Sequence, residues 1–264
     1  MNLAEHSAEP VARGLRGQTM SFVDEPIEIV VSRLDVGPVA VRMAAALLSH
    51  AEQQRARRFA FERDRARFTV ARAQLRQLLA ERLGREPESV EFTHGVHGKP
   101  ALARSVAQAD LRFNVSRCGD VAVYAFAPGR EVGIDVEAAR VIGEADDIAA
   151  RFFSRYENEA YLALDPRDRP LGFLNCWTRK EAFIKALGDG LCHPLDRFDV
   201  SLVPVEPARI LRVANTPGTR CGWTLHSFLP APGLIGAVVV QKFDHELAAN
   251  TAAERVVVRS LPHC

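Results

Sequence analysis

Twice along this chain, apolar residues recur at helical steps of three and four and then at every second position, and no other feature limits the fold as tightly. A helical period buries one stripe and an alternating period buries one face, so each half calls for helices packed on a sheet. In the first half, Ile27 to Leu34 has the β-branched character of a strand and Val41 to Phe59 carries helical spacing. A second helix, with Asp64 as its N-cap, follows the recurrence of Phe68, Ala71, Leu75, Leu78, Leu79 and Leu83 until Gly84. Short strands are predicted at Phe113–Val115, Val121–Ala127 and Glu131–Glu137, and Pro128-Gly129-Arg130 supplies turn chemistry for a hairpin between the last two.

The second half opens with helices at Ile148–Phe153 and Glu157–Leu164, broken by Pro166 and Pro170. A long helix from about Phe173 to Leu187 is stopped by Gly188 and Gly190, and strands near 198–202, 223–228 and 234–242 complete the core. The chain is thus read as an α+β protein of two similar lobes, residues 22–134 and 135–243. Residues 1–21 show no hydrophobic period and are expected to be a disordered extension, and 244–264 an appended tail.

A formal net charge of +1 on 264 residues gives no global electrostatic reason to expect a nucleic-acid or membrane partner. The apolar run around Ala237–Val240 is too short to span a bilayer, and Glu5 and Glu9 stand where a secretory signal would be apolar. Cysteines 118, 176, 192, 221 and 264 are scattered and odd in number, which reads as a reducing cytoplasm.

Chemistry concentrates in two acidic elements. In Glu131-Val132-Gly133-Ile134-Asp135-Val136-Glu137 the valines and Ile134 point one way and the acids the other, which sets Asp135 and Glu137 on one face about 7 Å apart. Like charges that close repel unless a cation lies between them; a solvated outer face of an edge strand is the plainer alternative. On the later helix, Trp177, Glu181, Ile184 and Lys185 fall on one stripe, so Glu181 aligns with core positions and needs compensation. Lys185 one turn on could be a simple ion-pair partner. Three carboxylates from a strand and a helix suit a hard divalent cation, and Mg²⁺ in such company implies a phosphorylated substrate.

Basic residues gather in the first half. Eight arginines between Arg55 and Arg76 stand against Glu62 and Asp64, a local balance of about +6. Arginine suits phosphate, although at least half of these are expected simply to face solvent. An RNA-binding helix is another reading, but no aromatic stacking platform accompanies them. His97-Gly98-Lys99-Pro100 and Phe113-Asn114-Val115-Ser116-Arg117 each end on groups able to bind an anion.

The ordered set of GKP at 98–100, FNVS at 113–116, GIDVE at 133–137 and WTRKEAFIKALGDGL at 177–191 resembles the surfactin-type 4′-phosphopantetheinyl transferases, over roughly Arg55 to Val203. The resemblance implies a monomer of two pseudo-symmetric α/β lobes, with coenzyme A and Mg²⁺ in the cleft between them and an apo carrier protein as acceptor. It implies Asp135, Glu137 and Glu181 as metal ligands, Glu181 also as base, and Lys185 near the pyrophosphate with Lys180 beside it. It further implies Lys99, Ser116 and Arg117 as ligands of the nucleotide and its phosphates, and Arg55 and Arg67 at the 3′-phosphate. Arg117 and Cys118 stand where the family pattern has histidine and serine, which predicts retained activity with an altered grip on coenzyme A. A magnesium-dependent nucleotide pyrophosphate hydrolase would need a similar site and is the alternative. A non-catalytic nucleotide or RNA binder is a more remote one.

Overall fold

Along Val121–Pro128 both alternating sets of side chains are apolar, and a strand of that kind must lie between two packed layers. In the computed structural model this strand, β5, has Tyr124 and Phe126 on one side and Val121, Val123, Ala125 and Ala127 on the other, all buried. The structure describes residues 26–105, 110–188, 194–214, 222–243 and 256–261. The extension expected over 1–21 lies outside these, as do Gly190, most of 244–264 and Cys192, Cys221 and Cys264.

β5 is flanked by antiparallel β1 (Ile27–Arg33) and β4 (Leu111–Cys118). Against its Tyr124 face packs α3 (Glu62–Leu83), through Val70, Ala71, Leu75, Leu78 and Leu79. Tyr124 is fixed there by donating its hydroxyl to Ala71 O at 2.9 Å. Helix α3 ends where read, with Gly84 at φ 61°, the left-handed turn that glycine adopts without penalty. Its start differs: Phe61 is the cap and Asp64 sits in the first turn, where its charge still favours the helix dipole.

The single helix expected over 41–59 is two, α1 (Pro38–Ala46) and α2 (His50–Arg57). Ser49 and Glu52 form a reciprocal capping box that starts the second.

A second sheet is built from β6 (Val132–Ala138), β10 (Leu234–Gln241) and β9 (Trp223–Phe228), in that order. It is covered by α6 (Arg169–Leu187), whose Phe173, Phe183 and Ile184 share a core with Ala237 and Val239. This helix starts four residues before the expected Phe173, so that Pro170 lies in its first turn, where a missing N–H costs nothing. Two shorter helices, α4 (Ala145–Phe152) and α5 (Arg155–Leu162), pack beside it.

The hairpin expected between β5 and β6 does not form. Both edges of β5 are taken by β1 and β4, so the chain turns at Gly129 (φ 67°) and enters the second sheet, where β6 pairs with β10. β4 and β5 make the hairpin instead, through Gly119 and Asp120. Between the sheets, Ile27, Ile29, Val123 and Ala125 meet Val132, Ile134, Val136 and Val238 in a shared core. Asn114 of β4 adds a side-chain bond across the junction, accepting from the Ile134 amide at 3.0 Å.

The strand Val256–Ser260, within the segment read as an appended tail, is β11 and lies parallel to β1 in the first sheet. Smaller ribbons pair β2 (Phe92–His94) with β3 (Pro100–Leu102) and β7 (Phe198–Val200) with β8 (Ile210–Val213). The α+β class read from the sequence is the class observed.

Candidate active site

Strand β6 and helix α6 touch at backbone level because of Gly133. A Cβ built there would stand 2.1 Å from Ala182 O and 2.2 Å from Ala186 N, so only glycine permits this approach. The contact brings the acidic face of β6 beneath the Trp177, Glu181 and Lys185 stripe of α6. The valine face turns into the core between the sheets, so the alternation read from sequence is correct. The acid face is not a solvated outer surface, since Asp135 is 4% exposed.

Asp135, Glu137, Glu181 and Lys185 line one cleft of about 750 Å³, together with Ser116 and Arg117 from β4. Phe152 and Trp177, edge to face at 6.2 Å, give it an apolar flank. Lys185 does not pair with Glu181 one turn back. Its Nζ donates to Asp135 Oδ1 at 2.6 Å and to Ser116 Oγ at 3.2 Å, and Ser116 donates to the same carboxylate oxygen at 2.9 Å. The other oxygen, Asp135 Oδ2, is buried without a hydrogen-bond partner, a costly condition for a carboxylate.

Burial, followed by repulsion from Asp135 and Glu137, pushes the Glu181 carboxyl above its ordinary range against the opposing pull of Lys185. Glu137 is raised likewise, by burial first and Asp135 second, with Lys185 and Arg140 opposing. Mutual repulsion of this kind places the three acids in one electrostatic site. Among the described residues no three such side chains close around a point a metal could occupy, so the acids line the cleft without forming a finished cage. An orphaned, buried carboxylate oxygen beside two repelled carboxyls nonetheless fits a hard cation that keeps several waters or phosphate oxygens in its shell.

A second cavity, of about 390 Å³, lies between the first sheet and its helices and is basic: Arg55, Arg72 and Arg117 border it, with Phe68 and His94. Arg117 borders both cavities, with its guanidinium 5.8 Å from the Phe68 ring centroid and that of Arg55 at 5.6 Å. Arg72, which the sequence did not single out, is steered there by Glu52 and lies 4.0 Å over Phe92.

Three expected ligands are placed otherwise. Lys180 does not border the acid cleft but is 1% exposed in the core, donating to Leu195 O at 2.7 Å and Phe198 O at 2.8 Å and paired with buried Glu157 at 2.7 Å. An ammonium has three donors, and all are taken. Helical geometry explains the misreading, because Lys180 and Glu181 are neighbours in sequence and a hundred degrees apart around the axis. Arg67 forms a two-pronged pair with Asp35 at 2.7 and 2.8 Å and does not border the basic cavity. Lys99 instead fastens its loop to the start of β6 and the end of α6, donating to Glu131 Oε2 at 3.1 Å and to Val132 O and Ala186 O, each at 3.2 Å. Its neighbours Gly98 and Pro100 border the basic cavity, while Lys99 borders a different one.

Known proteins resemble this arrangement in sequence. The family model described as the 4′-phosphopantetheinyl transferase superfamily matches residues 131–237, and the one described as 4′-phosphopantetheinyl transferase, N-terminal, matches 38–129. The chain is 37% identical to the 4′-phosphopantetheinyl transferase HetI of Nostoc, over 85% of this chain and 91% of that one. It is 32% identical to the 4′-phosphopantetheinyl transferase Sfp of Bacillus subtilis, over 59% of this chain and 66% of that one. At the same 32% it matches the human L-aminoadipate-semialdehyde dehydrogenase-phosphopantetheinyl transferase, over 59% of this chain and 53% of that one.

Proposed function

This chain belongs to the 4′-phosphopantetheinyl transferase superfamily, and from that premise we propose that the acid cleft transfers phosphopantetheine from coenzyme A to a serine of an apo carrier protein, with Mg²⁺ as its metal. The observation that carries the site assignment is Asp135 Oδ2, buried and unpartnered in a cleft shared with Glu137, Glu181 and Lys185. Asp135, Glu137 and Glu181 would hold the ion, which when bound neutralises charge on the diphosphate.

The chain's own groups account for the rest. Coenzyme A lies with its 3′-phosphate toward Arg55 and Arg72 in the basic cavity, and Arg117 spans from there to the diphosphate in the acid cleft. The incoming serine oxygen forms a bond to the phosphorus that bears pantetheine as the phosphoanhydride bond to 3′,5′-ADP breaks. Glu181, which lines the cleft with Asp135 and Lys185, accepts the serine proton. Lys185 and Arg117 stabilise the negative charge collecting on the departing 3′,5′-ADP. Phe152 and Trp177 make one wall of the cleft apolar. No helix among the described residues is long and apolar enough to cross a membrane. Scattered cysteines and a near-zero net charge support a cytoplasmic protein, read as a monomer, that needs neither nucleic acid nor membrane.

Intact-mass measurement of an apo carrier protein incubated with the enzyme, coenzyme A and Mg²⁺ tests this. A gain of one phosphopantetheine is the expected result, abolished in Glu181→Gln with the fold intact. Release of 3′,5′-ADP at the same rate without carrier would mean a hydrolase instead.

A further inference from the structure

We propose that Lys185 is a built-in counter-ion for the acid cluster, whose ammonium holds Asp135 in the metal-free protein and which a divalent ion must displace to bind. The inference rests on the reading of Asp135, Glu137 and Glu181 as cation ligands.

Four carboxylates line the cleft, Asp196 with the three named acids, and the three that repel one another need positive charge to remain ionised together. Lys185 supplies it. Its Nζ is 2.6 Å from Asp135 Oδ1, and its field also reaches Glu137 and Glu181. Arg140 adds positive charge at Glu137, while Arg117 and Arg151 border the cleft without an ion pair to these acids among the described residues. Lys185 satisfies only one side of Asp135. Oδ1 is doubly engaged by Lys185 and Ser116, whereas Oδ2 is buried and unmatched. The carboxylate is therefore neutralised but not coordinated, which leaves a stronger cation something to gain.

Displacement is mechanically simple. Lysine carries its charge on a flexible four-carbon stem, and the Lys185 side chain is 29% exposed, so the ammonium has a route toward the open cleft. There it meets the side on which a diphosphate enters. Ion binding at Asp135 thus releases the donor that the substrate uses, and the two events favour one another as linkage requires.

This makes a prediction opposite in sign to a merely supportive lysine. If Lys185 organised the acids for the ion, its loss would weaken binding; if it competes with the ion, its loss must tighten it. The test is calorimetric titration of the full-length protein with Mn²⁺ alone, without coenzyme A. Lys185→Met should bind Mn²⁺ on the order of tenfold more tightly than wild type, the equivalent of about 1.4 kcal/mol. Lys185→Arg, which keeps the charge, should stay near or below wild type. In EDTA, Lys185→Met should melt below wild type and recover more on Mn²⁺ addition, a readout independent of turnover. Equal or weaker Mn²⁺ binding by Lys185→Met overturns the proposal. Asp135→Asn separates the two readings: it should abolish binding in either background, and undiminished binding would remove the metal-site assignment itself.

Discussion

Replacing Gly133 with alanine should be far more damaging than one methyl group suggests. The added carbon would stand 2.1 Å from Ala182 O and 2.8 Å from Lys185 C, both backbone atoms of α6. Ordinary contact begins near 3.4 Å, so the helix must retreat from β6 by roughly 1 Å, because a backbone atom cannot rotate away as a side chain can. Overpacking of this kind costs about 1–3 kcal/mol. The larger effect falls on catalysis. α6 carries Glu181 and Lys185 and β6 carries Asp135 and Glu137, so the displacement opens the cleft between its two sets of groups. A misplacement of about 1 Å can lower a rate by ~10²-fold. Steady-state carrier modification, followed by mass, should show kcat falling by about that factor, while circular dichroism and a denaturant melt report a folded protein of reduced stability. A Gly133→Ala protein with unchanged kcat would show that the close approach does not position the acids, and the account of the site given above would fail with it.

Burial alone would raise the Glu52 carboxyl, but hydrogen bonds from Arg76, Arg72 and the Ser49 amide hold it below its ordinary value of 4.5. A depressed carboxyl contributes stability that is complete above its unfolded pKa and is lost as pH falls through the folded one. Wild type should therefore lose stability below about pH 4.5. Glu52→Gln should flatten that acid limb and, by stranding buried Arg76, lower stability by about 3–5 kcal/mol at neutral pH; chemical denaturation across pH measures both. Arg55→Ala should weaken coenzyme A binding about tenfold or more, since a charge-assisted hydrogen bond is worth about 1.5–3 kcal/mol. Arg67→Ala, which removes the pair with Asp35, should leave coenzyme A affinity within about twofold in the same titration.

Local periodicity reads well here wherever a single element decides the outcome. Asp135 and Glu137 share a face because strands alternate, and Glu181 lies on a stripe because helices repeat, so the acid cleft is visible in two short segments. Partner choice is not local. The run 121–127 looks like one arm of a hairpin with 131–137, yet nothing in either segment records that β1 and β4 will occupy both edges of β5. Likewise Lys180 resembles an active-site lysine until Glu157, twenty-three positions earlier, is seen to claim it. The division of the helix at 41–59 was available in the sequence, since Ser49 stands three residues before Glu52 in the pattern of a capping box. The same pattern at Ser154 and Glu157 fixes the start of α5. The FNVS block marks Asn114 without showing what it binds, because its partner is a backbone amide of another sheet.

The buried Glu157 and Lys180 pair also governs how mutational surveys of this enzyme will read. Glu157 accepts from the Ser154 and Val200 amides, each at 2.8 Å, and Lys180 holds two carbonyls of the 195–198 segment. Truncating either partner leaves a lone charge in the core, a loss of about 3–5 kcal/mol. An alanine scan across Trp177–Lys185 scored on crude yield of modified carrier would rank Lys180 with Glu181. Normalising to the soluble, folded fraction would part them, with the first failing as a keystone of the lobe and the second as a chemist within it.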